Sequence, residues 1–271
     1  VIVSQCCSLV FHQTAVTIAD INPSLSLSSV AVALEEFTQY VNQHSLRGKK
    51  TLAMLSPADY QLLRVKKPES RSQEMLTAIL WQEQSKFSLP IDQLVIDYVE
   101  CPTTTDEKRI YVAAIGRRTL RQYYEMMLNV GLQPIKITLP ELIYAQYAQK
   151  YYVNETTIIW INQFPDAIQV IAVYQGELVA TLKLPKTEHA VISEASITSL
   201  NMFYLTEIKA FSTSPLWLLN GIFSVDPDVL EQLNGRKQWL RNETHEVFYK
   251  SLERFNHSSA SHAYYGLMAN E

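Results

Sequence analysis

Thr157-Ile-Ile-Trp-Ile-Asn162, Ile168-Gln-Val-Ile-Ala-Val-Tyr174 and Leu178-Val-Ala-Thr-Leu-Lys-Leu184 follow one another in the second half of the chain. β-Branched and aromatic residues dominate these runs, each has strand length, and Gln175-Gly176 joins the last two as a tight hairpin. A helical periodicity follows, about Glu188 to Ala210, with Ile197, Leu200, Tyr204, Ile208 and Phe211 on one stripe. Beyond it, Leu216–Leu219 reads as a strand, Pro227–Leu233 as a short helix and Gln238–Arg241 as a strand. Helices near His245–Arg254 and Ser258–Met268 close the chain. Three strands followed by helices and strands in alternation predict one mixed sheet with helices packed on it.

The first half reads in the same order. Ser8–Asp20 gives two strands, Val30–His44 a helix ended by Gly48, and Leu52–Leu55 a buried strand. Tyr60–Lys66, a helix capped by Ser70 or Ser72 and running to Lys86, and Val95–Glu100 form a strand-helix-strand insertion at about 57–101. Ile110–Ile115 is apolar on both faces and so central in a sheet. Arg118–Asn129 is a helix stopped by Gly131, Ile135–Leu139 a strand, and Pro140 opens a helix to Lys150. The layout resembles a duplicated ribonuclease-H-like unit, the actin-like architecture. It predicts an α/β fold of two lobes, 1–138 and 139–271, each with a five-stranded mixed sheet. The small insertion lies in the first lobe, and the C-terminal helix is placed either in the second lobe or back on the first.

Composition removes several function classes. The net charge of −4 and the short basic runs Arg47-Gly48-Lys49-Lys50 and Arg64-Val65-Lys66-Lys67 argue against nucleic-acid binding. Cys6, Cys7 and Cys101 form neither an even framework nor a CxxC, a usage that suits a reducing compartment. No run approaches the eighteen or so apolar residues of a membrane span, and none reads as a signal peptide. The 6 histidines are scattered without metal-ligand spacing, so no metal site is expected. Only 7 glycines occur, none adjacent or two apart, which disfavours a phosphate-cradling loop.

From Ser56 the text becomes specific. Ser56-Pro-Ala-Asp-Tyr-Gln-Leu-Leu-Arg-Val65, Ala78-Ile-Leu-Trp81, Ser88-Leu-Pro-Ile-Asp92 and Val95-Ile-Asp-Tyr-Val-Glu-Cys-Pro102 resemble the MshI family. These are the PilM-like proteins of mannose-sensitive haemagglutinin pilus biogenesis. Ile110-Tyr-Val-Ala-Ala-Ile115, Arg117-Arg-Thr-Leu-Arg-Gln-Tyr123, Val130-Gly-Leu132 and Leu139-Pro-Glu-Leu142 extend the likeness over about 56–148. The resemblance implies an actin-like scaffold of type IV pilus assembly, cytoplasmic and peripheral to the inner membrane through a partner. PilM itself binds ATP and grips the cytoplasmic tail of the membrane protein PilN, and the cytoplasmic part of GspL is similar. A PilN-like tail is therefore the implied partner, with a pilus motor ATPase as a second.

The loops that bind nucleotide in actin-like ATPases depart from the pattern that resemblance implies. The N-terminal hairpin has Ser4 and Gln5, without Asp or Gly, the second phosphate hairpin has Asn162 and Gln163, and the adenine loop has Asn220 and Gly221, one glycine rather than two. No catalytic residue and no cofactor are expected; a residual ATP-binding actin-like ATPase and a GspL-like secretion adaptor are the alternatives. On the helix ending at Lys86, Trp81 lies about 140° from Leu76, off the core stripe. A second layer covering it is one reading; a partner groove is the other. Tyr60, Leu62, Trp81 and Phe87 are the partner-binding candidates, with Leu62 and Phe87 also fitting a core.

Overall fold

The computed structural model describes residues 7–12, 15–18, 30–43, 45–55, 57–104, 106–163, 167–185, 194–220 and 231–240. The described residues divide into two compact units, one holding those up to Glu100 together with Lys108–Thr138, the other Cys101–Glu107 with those from Leu139 to Leu240.

In the first unit, β1 (Cys7–His12), β2 (Ala15–Ile18), β3 (Lys50–Met54) and β7 (Gln133–Thr138) form a sheet in the order β2-β1-β3-β7. β1, β3 and β7 run parallel, and β2 returns antiparallel to β1. Helices α1 (Val30–Gln43) and α3 (Arg117–Asn129) pack on it through Phe37, Val41 and Met127, against Ala53 of β3. Four strands are present among the described residues where five were expected.

A second, three-stranded sheet belongs to the same unit: β4 (Tyr60–Lys66), β5 (Leu94–Cys101) and β6 (Arg109–Gly116), in the order β4-β6-β5. β6 is central, as its two apolar faces require, but in this small sheet, so the sheet reaches past the boundary at 101. Helix α2 (Met75–Glu83) covers one face and is prolonged by 3-10 turns at Ser72–Glu74 and Gln84–Lys86. Neither expected serine caps it. Arg71 precedes the first turn without a side-chain hydrogen bond, and Ser70 Oγ turns instead toward Met75 Sδ at 3.5 Å.

In the second unit, β8 (Thr157–Gln163), β9 (Ala167–Tyr174), β10 (Glu177–Pro185), β11 (Leu216–Asn220) and β12 (Arg236–Leu240) take the order β10-β9-β8-β11-β12. β8, β11 and β12 are parallel, whereas β9 and β10 form the antiparallel meander. Helix α5 (Glu194–Phe203) runs on into a π turn at Tyr204–Ile208 and buries Ile197, Leu200, Tyr204 and Ile208 against Ile159, Ile161, Val170 and Trp217. Helix α4 (Pro140–Tyr151) belongs to the same unit and buries Tyr144 and Tyr147 against Trp160. The helices expected at Pro227–Leu233, His245–Arg254 and Ser258–Met268, and the placement of the last, fall largely or wholly outside the described residues.

The β9–β10 hairpin has φ 51° at Gln175 and 83° at Gly176, the type I′ geometry that matches strand twist. A Cβ at residue 176 would also stand 2.7 Å from Gln149 Cβ, so glycine is required by conformation and by space. Gly176→Ala is expected to lower stability by more than about 2 kcal/mol, whereas Gln175→Asn should leave it unchanged or raise it slightly. Thermal melts of the two variants beside the parent check this; equal melting temperatures for all three would refute it.

Candidate functional site

Strand alternation sorts the small sheet into two faces. Leu63 and Val65 of β4, Ile110, Val112 and Ala114 of β6, and Leu94 and Ile96 of β5 face α2 and close a core with Met75 and Ile79. Phe87 joins that core at 9% exposure. Gln61 points the same way, its amide bridging Lys86 O and Ser88 N at 2.7 and 3.1 Å. Tyr60, Leu62 and Arg64 lie on the opposite face, in register with Ile115, Ala113 and Tyr111. Trp81 is 63% exposed on the outside of α2.

The four candidates therefore do not line one groove. Phe87 is core, because the 3-10 turn after α2 swings it back under the helix. Tyr60 and Leu62 share a half-buried sheet face, and Trp81 stands beyond the helix that covers the other face.

At its start the small sheet is tied to the rest of its unit by polar contacts. Tyr123 of α3 donates to the Asp59 carboxylate just before β4. Asp97 of β5 shares the Leu62 side of the sheet by strand alternation and interacts electrostatically with Lys136 of β7. Burial pushes the Asp97 carboxyl above its ordinary range, opposed by the Tyr98 N–H at 2.8 Å and by Lys136. Burial likewise pulls the Lys136 ammonium down, opposed by Asp97.

In the second unit, Asn162 near the C-terminal end of β8 is in register with Gln169 of β9 and with Asn220 of β11. Asn162 and Gln169 are buried, and Gln169 Nε2 donates to Glu141 Oε1 at 2.5 Å. Glu141, in the first turn of α4 and 1% exposed, is the residue that sequence reasoning passed over. Its signal was present, an acid directly after Pro140 at a helix start, where the helix dipole favours a carboxylate. Of the other loop residues, Ser4, Gln5 and Gly221 lie outside the described residues, while Gln163 and Asn220 end their strands. Among the described residues no three His, Cys, Asp or Glu side chains gather as a metal site. Nor is any described helix long and apolar enough to cross a membrane.

No protein-family model and no curated protein matches the chain. Solved structures do. The PilM-PilN type IV pilus biogenesis complex is similar at a TM-score of 0.65 and 13% identity, over 88% of this chain and 85% of that one. The cytoplasmic domain of EpsL, an inner membrane component of the type II secretion system of Vibrio cholerae, gives 0.60 and 10%, over 92% and 94%. A Bacteroides thetaiotaomicron protein with an actin-like ATPase fold gives 0.56 and 12%, over 92% and 95%. At these identities the likeness fixes the fold: this chain has an actin-like fold with mixed sheets.

An acid whose pKa is raised on folding stabilises most below its ordinary pKa and loses that contribution as pH rises through the raised value. Lys136 offsets part of that loss, so Lys136→Met should raise the Asp97 pKa further and steepen the fall in stability across the window above the ordinary carboxylate range. Carboxyl-carbon NMR titration of parent and variant measures it; an unmoved or lowered Asp97 titration would contradict the pairing.

Proposed function

We propose that this chain is a non-catalytic scaffold of type IV pilus or type II secretion assembly, binding the cytoplasmic tail of a PilN-like inner-membrane protein. The observation that carries the reading is the extent of the likeness to the PilM-PilN complex and to cytoplasmic EpsL, which takes in nearly the whole of this chain and of each neighbour. The MshI-like run at 56–148 favours the pilus, and a motor ATPase is a further partner in that setting. The protein is then cytoplasmic and held at the inner membrane through its partner. A duplicated ribonuclease-H-like origin is supported by strand order: β2-β1-β3-β7 repeats four of the five positions of β10-β9-β8-β11-β12, with the same directions.

The tail is assigned to the Tyr60 and Leu62 face of the small sheet. β4 is an edge strand, so an extended segment gains main-chain hydrogen bonds along it as well as apolar burial on Leu62 and the half-buried Ala113. Trp81, beyond α2, is left out of this contact.

The scaffold hydrolyses no ATP in this reading, since the β8–β9 end offers Asn162 and Gln169 amides in place of an acid and a glycine. The alternative is residual nucleotide binding through a cation held by the buried Glu141 carboxylate next to that row.

Two measurements test the proposal. A peptide of the PilN-like tail encoded with this chain should bind with an affinity that Leu62→Asp lowers at least ~10-fold and Trp81→Ala leaves alone; no binding to the parent refutes the partner, and loss with Trp81→Ala alone moves the site. Phosphate release from Mg²⁺-ATP should stay at background. A saturable rise in melting temperature with ATP, abolished by Glu141→Gln, would establish the nucleotide-binding reading.

A further inference from the structure

Two turns of the first unit are joined into one surface. Residues 45–49 link α1 to β3, and residues 130–132 link α3 to β7. Gly48 N–H donates to Gly131 O at 2.7 Å and Gln133 N–H to Lys49 O at 2.9 Å, and Lys50 pairs in register with Gln133. Gly131 takes φ 86°, and a Cβ there would stand 2.8 Å from Arg47 Nε. The glycine therefore lets the Arg47 side chain lie against the second turn, which fixes a cation on the joint surface.

Arg47 and Lys50 are exposed, Lys49 is half-buried, and neither turn contains an acid. The nearest acids on the adjoining helices are Glu36, two turns before the end of α1, and Glu125, one turn before that of α3. Elsewhere cations stand beside acids: Lys67 with Glu100, Lys86 with Glu83, Arg236 with Glu155. Among the described residues neither Arg47 nor Lys50 makes such a pair. Both helices end here without a basic residue in the last turn, each end equivalent to roughly −0.5 charge. Against those two ends and Glu125 the three cations keep the surface positive. Leu128, 46% exposed in the last turn of α3, adds an apolar side chain to it.

We propose that this surface contacts the anionic headgroups of a lipid bilayer, Arg47, Lys49 and Lys50 meeting phosphates while Leu128 enters between them. A bilayer interface offers both anionic oxygens and a place for a short apolar side chain. A nucleic-acid backbone offers only the first, and leucine gains little there. The net charge of −4 opposes a partner that surrounds the molecule, but weighs less on a local contact, because screening confines each field to ~8 Å. Each cation near an anionic bilayer strengthens binding about 5-fold, so three cations and one leucine give a weak, reversible contact that needs a second attachment. The inference rests on the reading that the protein works at the inner membrane, where a bound membrane-protein tail is that second attachment. It uses no residue of the small sheet.

Co-sedimentation of the full chain with vesicles of phosphatidylcholine, alone or with about one-third phosphatidylglycerol, tests the inference. The parent should bind the anionic vesicles, leave the neutral ones, and be released as salt rises. Replacing Arg47, Lys49 and Lys50 together by Gln should lower the partition coefficient at least ~30-fold, and Leu128→Gln should lower it ~3-fold. Replacing Lys108, Arg109 and Arg118 by Gln removes as much charge from exposed positions of the same unit and should leave binding intact. Thermal melts confirm folding, and the Lys49→Gln, Lys50→Gln double variant stands in where loss of Arg47 unsettles its turn. A parent that ignores anionic vesicles, or binds both kinds equally, overturns the proposal. So does a loss of binding as large in the control as in the first triple variant. The tail-peptide titration, run alongside, separates the two readings. Peptide binding by a parent that ignores vesicles removes the lipid contact alone, whereas vesicle binding without peptide binding keeps the lipid contact and refutes the tail.

Discussion

The second unit depends on burying β8 from both sides. Ile158, Ile159, Trp160 and Ile161 are consecutive and all at most 2% exposed. Successive strand residues point to opposite faces, so four buried in a row require a layer on each face and a paired strand on each edge. α5 supplies one layer over Ile159 and Ile161, and α4 packs its tyrosines on Trp160 from the other. β9 and β11 fill the two edges. Remove Trp160 and α4 loses the surface that fixes where its N-terminus, and therefore Glu141, comes to rest.

This constraint is also why so much of the second unit was legible. A run such as Thr157–Asn162 has one solution in a chain of this size, a central strand, and the hairpin at Gln175-Gly176 then places β9 and β10. The stripe of α5 was readable for the same reason, since Ile197, Leu200, Tyr204 and Ile208 have a single apolar face to meet. Periodicity describes one element against whatever covers it. It showed Ile110–Ile115 to be central but could not say in which sheet, because centrality is a property of a strand's faces and sheet membership one of its edges. Phe87, which the sequence already allowed as core, does join the core of the small sheet, carried there by the 3-10 turn that follows α2.

Trp81 and Leu62 show how far a site can be read in this way. The angle between Trp81 and Leu76 correctly put the indole outside the core, because a helix of known period fixes direction. Grouping it with Leu62 required knowing which face of β4 the helix covers. Leu62 and Leu63 are adjacent, both apolar and equally strand-like in sequence. Only the register with Ala113 and Val112 decides that Leu63 goes under α2 and Leu62 does not.

The polar row beside β8 follows the same logic with charge in place of shape. A carboxylate as deeply buried as Glu141 is tolerable only if something donates to it, and Gln169 Nε2 does so while the first turn of α4 adds its dipole. The arrangement stands at the C-terminal end of parallel strands, where open α/β sheets present their ligand sites. A phosphate brought there would face a carboxylate in low dielectric unless a cation came with it. Hydrogen bonding within the unit thus does for Glu141 what a bound cation would otherwise have to do. An edge strand beside a half-buried apolar face, as β4 presents through Leu62, is a surface on which an extended segment gains main-chain hydrogen bonds as well as burial.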